Sequence, residues 1–156
     1  MSPQTLGEST TQETPLLRVD QEVGSAITQI VDSGLPALPV VTPDGRLAGI
    51  FGEREFISAL FPGYVGELRS AAFVPRSIEE QLEKRAACHD QPVAKYMNTE
   101  RVAVARDYSD VQVAETFLHH RVLVVPIVDE RRRPTGLITR SDFFRALVDR
   151  FQTILD

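Results

Sequence analysis

Val125-Pro126-Ile127-Val128-Asp129 and, after a turn, Gly136-Leu137-Ile138-Thr139-Arg140-Ser141-Asp142-Phe143 make up the most legible stretch of the chain. A β-branched run holding a proline, a polar turn, a second apolar run and a capped helix start read as strand, strand, helix. The same order occurs once before. Shifted by 87 residues, residues 20–60 fall on residues 107–147 without a gap. Asp20, Pro39, Val41 and Arg46 meet Asp107, Pro126, Val128 and Arg133, and Gly49, Phe56, Ala59 and Leu60 meet Gly136, Phe143, Ala146 and Leu147. Those are 8 identities in 41 positions, and most mismatches are mild, such as Ile30 on Phe117 and Glu55 on Asp142. A unit this small cannot bury its own apolar face, so two copies are expected to pack on each other.

Outward from this stretch, the second copy opens with a short alternating strand over Arg101–Ala105. Ser109 and Gln112 have capping-box spacing. The helix they open places Val113, Ala114, Phe117 and Leu118 on one face. Val122–Val128 is the buried strand and Gly136–Thr139 pairs with it. Ser141–Leu155 is a helix expected to turn Phe143, Phe144, Leu147, Val148 and Phe151 inward. In the first copy, Leu16–Val19 opens and a helix carries Ala26, Ile27, Ile30 and Val31. Leu38–Val41 is the buried strand, Asp44-Gly45 a tight turn and Leu47–Phe51 the pairing strand. A helix from Glu53 stops at Pro62-Gly63. The chain thus divides into a loose tail (1–14), a first repeat (15–61), a helical linker (62–94) and a second repeat (95–156). Within the linker, Ser77 and Glu80 cap a charged helix, Ile78–Ala87, with Ile78, Leu82 and Ala86 as its few apolar positions.

At 156 residues, 42% apolar and a formal charge of −5, the chain suits one compact module and argues against a nucleic-acid partner, which wants a clustered basic surface. Arg131, Arg132 and Arg133 do cluster, at a turn expected to be solvated. A lone Cys88 excludes an internal disulfide and fits a reducing compartment. No apolar run approaches the roughly 20 residues of a membrane span, and no secretory pattern opens the chain. A cytoplasmic protein without a membrane association is expected.

Thr139 and Asp142 lie three residues apart at a helix start, and the spacing leaves two readings open. They cap the helix, through a hydroxyl accepting a backbone N–H and a carboxylate favoured by the dipole. Alternatively the same helix start is an anion site, with a carboxylate one turn in that accepts from both hydroxyls of a ribose.

A duplicated β-α-β-β-α unit with a proline in its buried strand and Gly-x-x-Thr-x-x-Asp after it resembles the cystathionine-β-synthase-type (CBS) domain, and the pair resembles a CBS tandem, or Bateman module. The resemblance covers residues 15–60 and 95–150, and Tyr96-Met97 ahead of Val102-Ala103-Val104 fits the family's opening segment. It implies a mixed α/β fold, two repeats packed as one pseudo-twofold module with a helical insert between them. It further implies an adenosine-containing ligand (AMP, ADP, ATP or S-adenosylmethionine) in a cleft between copies. Carried over, Asp142 holds the ribose and Thr139 and Ser141 lie near the phosphates. Leu16, Leu17, Leu35, Pro36 and Ala37 of the opposite copy carry the base, and Ile138 closes the pocket. A homodimer with facing helices is implied too, with Phe56, Ile57, Leu60, Phe143, Leu147 and Phe151 as candidate contacts.

The first repeat departs from the pattern, reading Gly52-Glu53-Arg54-Glu55. Gly52 lacks the hydroxyl and Glu55 is a methylene longer than Asp. A weaker second site is therefore expected from Glu55 and Arg54 with Val102, Val122, Leu123 and Val124. His119 and His120 at a helix end, and adjacent Cys88-His89, lack metal-site spacing. With no nucleophile elbow or Gly-rich phosphate loop in the sequence, the expected role is regulatory sensing, not catalysis. Such a module needs no cofactor beyond its regulatory ligand and acts on an unidentified downstream protein. The alternative is a structural or protein-binding module working through dimerisation or the helical insert.

Overall fold

The computed structural model describes Leu6 and residues 10–61 and 77–156. The first repeat consists of β1 (Leu17–Arg18), α1 (Val23–Ser33), β2 (Ala37–Val41), β3 (Leu47–Gly52) and α2 (Glu53–Leu60). A charged helix α3 (Ile78–Lys84) and 3-10 turns at Ala86–Asp90 and Val93–Lys95 follow. The second repeat is β4 (Val104–Ala105), α4 (Asp110–His119), β5 (Val124–Val128), β6 (Pro134–Thr139) and α5 (Arg140–Leu155). Each repeat forms a three-stranded sheet with the proline-bearing strand central, in the orders β1-β2-β3 and β4-β5-β6. The outer pairings match: β1 and β4 run parallel to the central strand, β3 and β6 antiparallel. Even the irregularity is duplicated, between Val40 and Val41 and between Ile127 and Val128. Pro39 lies one residue before β1 starts to pair at Val40, so its missing N–H takes nothing from that edge.

The β2 and β5 strands meet at the seam of the two repeats. One core gathers Val104, Val113, Val124, Val125, Leu137, Ile138 and Phe143, and accepts Ala37 and Ile50 from the first repeat. The other holds Leu17, Val23, Ala26, Leu38, Val40 and Phe51. Both sheet faces are covered, so consecutive residues such as Leu137 and Ile138 are both fully buried.

Local chemistry accounts for the helix ends. Ser109 and Gln112 form a reciprocal capping box on α4. Gly34, at φ 73°, ends α1 in the left-handed region that favours glycine. The first N–H of α1 is satisfied by the Gln91 carbonyl at 2.9 Å, because the described part of the linker lies against the first repeat. Cys88 and Val93 are buried in that repeat's core, so this stretch is part of the repeat's packing. The α3 helix is shorter than the sequence suggests. It exposes Ile78 and Leu82 and buries Gln81, whose amide donates to the Leu60 carbonyl.

Two expectations are corrected. Residues 1–14 read as a loose tail, yet Leu6, Thr11 and Gln12 are held on the second repeat. Leu6 is buried in its core, and the Gln12 N–H and C=O bridge Leu137 at 3.0 Å each. Residues 1–5 and 7–9 of that tail lie outside the described residues, as does the predicted stop at Pro62-Gly63. The second correction concerns the α4 and α5 faces. Phe143 packs inside, its ring 5.8 Å from that of Phe117, but Leu118, Phe144, Leu147 and Phe151 are exposed. Val31 of α1 is exposed as well. Amphipathic spacing marks a face without saying whether the same chain covers it.

The bridge at Gln12 has a counterpart: Asn98, ahead of the second repeat, bridges Ile50 of β3 with N–H···O distances of 2.8 and 2.9 Å. Each copy's lead-in segment therefore lies along the last strand of the other copy. This explains the shared glycines. A Cβ on Gly49 would stand 2.5 Å from the Asn98 carbonyl oxygen, and one on Gly136 would stand 3.0 Å from that of Gln12.

Candidate functional site

The start of α5 and the end of α1, one from each repeat, face each other across a cleft of about 690 Å³. Its walls are Ile30, Val31, Ser33, Gly34, Leu35 and Pro36 from the first repeat and Thr139, Ser141 and Asp142 from the second, with Gln12 and Glu53 at its edge. The apolar side can take a flat base, and the polar side gathers hydroxyls and a carboxylate.

Two helices of this chain use their starts differently. In α4, the Gln112 side chain returns to the Ser109 N–H at 2.8 Å and is spent there. In α5, Thr139 caps through its hydroxyl, which accepts the Asp142 N–H at 3.1 Å. The Asp142 carboxylate turns elsewhere: its Oδ2 accepts from Gln12 Nε2 at 3.1 Å and it lines the cleft. Thr139 caps, while the Asp142 side chain is directed at the space between the repeats.

Of the residues expected at this site, the structure brings Leu35, Pro36, Thr139, Ser141 and Asp142 together. Leu17, Ala37 and Ile138 are corrected: all three are buried in the cores, since both faces of each sheet are covered. Leu16 is exposed and does not line the cleft, its carbonyl accepting from Gln29 Nε2 at 3.1 Å. Sequence reasoning missed Gln12, Ile30, Val31, Ser33, Gly34 and Glu53. No sequence signal marked Gln12, which falls on Thr99 at the repeat offset of 87, outside the stretch that aligns without a gap.

The second constellation does not assemble. Val102, Val122 and Val124 are core side chains, Leu123 is half-buried and Arg54 is exposed. Glu55 turns back on the backbone N–H groups of Glu55 and Gly52 at its own helix start, the use that Asp142 avoids. Burial pushes the Glu55 carboxyl above its ordinary 4.5, against those N–H groups and the Arg54 charge, which pull it down. A carboxyl raised in the folded state contributes stability below its unfolded value, and that contribution is lost as pH rises through the folded one. Glu55→Gln is expected to gain on the parent in denaturant midpoint as pH climbs from 4.5 upward, and to match it below.

The remaining candidates have local roles. The three arginines are exposed, on a turn where the Asp129 carboxylate accepts the Arg131 and Arg133 N–H groups at 2.9 Å. His120 Nδ1 pairs with Glu100 at 2.7 Å, and Cys88 is buried. Among the described residues no three His, Cys, Asp or Glu side chains gather as a metal site, and no helix is long and apolar enough to cross a membrane.

Comparison with known proteins places these features. The sequence model of the family described as "CBS domain" matches residues 10–62 and 93–149. A CBS domain-containing protein of Dictyostelium discoideum is 27% identical over 133 residues, covering 85% of this chain and 83% of its own. The CBS-pair protein CBSX2 of Arabidopsis thaliana superposes with a TM-score of 0.71 at 17% identity, over 97% of this chain and 99% of that one. CBSX2 in complex with AMP also matches, at a TM-score of 0.66 and 18% identity, over 93% and 96% of the two chains. The domain pair of protein MJ0100, in complex with 5′-methylthioadenosine and S-adenosylmethionine, matches at 0.67 and 19% identity, over 92% and 99%. The solved structures carry the fold alone.

Proposed function

Because the chain belongs to the CBS domain family, we propose that it is a regulatory module that senses an adenosine-containing ligand in the cleft between its two repeats. One observation carries this reading: the Asp142 carboxylate, released from capping by Thr139, lines an inter-repeat cleft opposite the apolar Ile30, Leu35 and Pro36. A carboxylate has room for two hydroxyl donors, as a ribose presents. The adenosine ligands carried by similar structures, AMP in one and S-adenosylmethionine with 5′-methylthioadenosine in another, support the same class. In this reading the first-repeat constellation is silent, and control operates by population shift. A ligand seated across the seam favours one arrangement of the repeats by its difference in affinity between arrangements.

Thermal unfolding with adenosine, AMP, ADP, ATP, 5′-methylthioadenosine and S-adenosylmethionine tests the proposal. A ligand at 100 times its Kd adds about 2.7 kcal/mol, or about 5–10 °C for a chain of this size. If none shifts the transition, the module is an interaction scaffold and the Gln12–Asp142 contact is purely structural.

The uncovered helix faces support the homodimer as part of the proposal. Ile57, Phe144, Leu147, Phe151, Ile154 and Leu155 are all exposed, and an apolar groove of about 370 Å³ lies beside Ile27, Val31 and Phe56. So much apolar surface on two helices calls for a partner.

A further inference from the structure

We infer that the cleft selects an adenosine whose 5′ substituent carries no phosphate, a thioether or sulfonium in place of a nucleotide's anionic tail. The inference rests on the adenosine reading above and deepens it. Two carboxylates border the cleft, Asp142 from the start of α5 and Glu53 from the start of α2, and among the described residues lining it there is no Lys, Arg or His. Phosphate recognition relies on charge-assisted donors, Arg and Lys above all. Here the hydroxyls of Ser33, Thr139 and Ser141 are neutral, and that of Thr139 is already engaged as a cap. Glu53 is exposed at the rim, with its backbone N–H fixed on the Pro36 carbonyl at 2.9 Å. Its side chain therefore starts from the wall that the adenosine faces. A phosphate chain extending from the ribose meets like charge, whereas a sulfonium meets opposite charge, and juxtaposed like charges discriminate between ligands.

The duplication sharpens the point. The residue equivalent to Glu53 in the second repeat is Arg140, so the charge at this helix position is reversed between the copies, while its neighbours differ too, Gly52 for Thr139 and Arg54 for Ser141. The carboxylate at position 53 is thus a specificity determinant, separate from the Asp142 carboxylate that engages the ribose.

Isothermal titration of the full chain with adenosine, 5′-methylthioadenosine, S-adenosylmethionine, AMP and ATP reads the preference directly. The parent is expected to bind the three phosphate-free ligands about tenfold tighter than AMP, with ATP weaker still and the gap narrowing at high salt. Glu53→Lys should reverse the order of AMP and S-adenosylmethionine, and Glu53→Gln should bring them together. A parent that prefers AMP or ATP overturns this inference while leaving the adenosine reading intact. So does a Glu53→Lys variant, folded by circular dichroism, with an unchanged ratio. If none of the five ligands binds the parent, the adenosine reading is lost and this inference goes with it.

Discussion

Asp142→Ala is expected to weaken binding of any adenosine ligand about a hundredfold, since two hydrogen bonds to a charged acceptor contribute about 3 kcal/mol together. The variant should remain folded. Asp142 sits in the first turn of α5, where a carboxylate stabilises through the dipole by about 0.3–1 kcal/mol. Its contact with Gln12 adds one hydrogen bond. A loss of a few degrees in Tm follows, not unfolding. Thr139→Ala makes the informative contrast. It removes the cap of α5, which costs about 1 kcal/mol, and leaves a half-buried carboxylate in place. Affinity should therefore respond chiefly at 142 and stability chiefly at 139. If Thr139→Ala abolishes binding and Asp142→Ala does not, the ribose has been assigned to the wrong residue.

Gly52→Thr, the substitution that would restore the family pattern in the first repeat, is expected to destabilise the fold by about 3 kcal/mol without creating a second site. A Cβ at residue 52 would lie 2.3 Å from the Pro36 carbonyl oxygen and 2.4 Å from the Ala37 Cβ. Real side chains do not approach that closely. The paired strands would have to part at Ala37 and Gly52, whereas the second repeat accommodates Val124 opposite Thr139 at the same rung. Chemical denaturation measures the cost, and a thermal fall of about 6–12 °C should accompany it. A variant as stable as the parent would show that the strands give way, and that their spacing does not bar a hydroxyl at this position. Loss of the hydroxyl is thus built into strand spacing as well as into the helix cap.

The duplicated order of strands and helices was readable because repeat identities fall on residues with local jobs. Pro39 and Pro126 mark the central strands, and the Arg46 and Arg133 carbonyls close equivalent turns by accepting the Thr42 and Asp129 N–H groups. Other identities were visible without being understood. Gly49 and Gly136 are conserved between copies because another segment crosses them, and that segment lies far away in sequence. Gln12 meets Asp142 across 130 residues, a pairing no local pattern encodes. The same blindness affected the site. Period-2 alternation separates core from surface only when one sheet face is open, and here both are covered, so Ile138 and Leu17 gave no sign of their burial. Asp142, Ser141, Leu35 and Pro36 were legible because they sit at loop-to-helix or loop-to-strand junctions, where backbone geometry follows from nearby residues.

The crossed lead-in segments make the halves of this protein mutually dependent. Leu137 exchanges both of its backbone hydrogen bonds there with Gln12, and Ile50 exchanges its own with Asn98. A fragment cut between the repeats would carry one lead-in with no strand to lie on, and one outer strand with a bare edge that recruits other chains. Either half produced alone is therefore expected to clump, and the two mixed together to rebuild the pair.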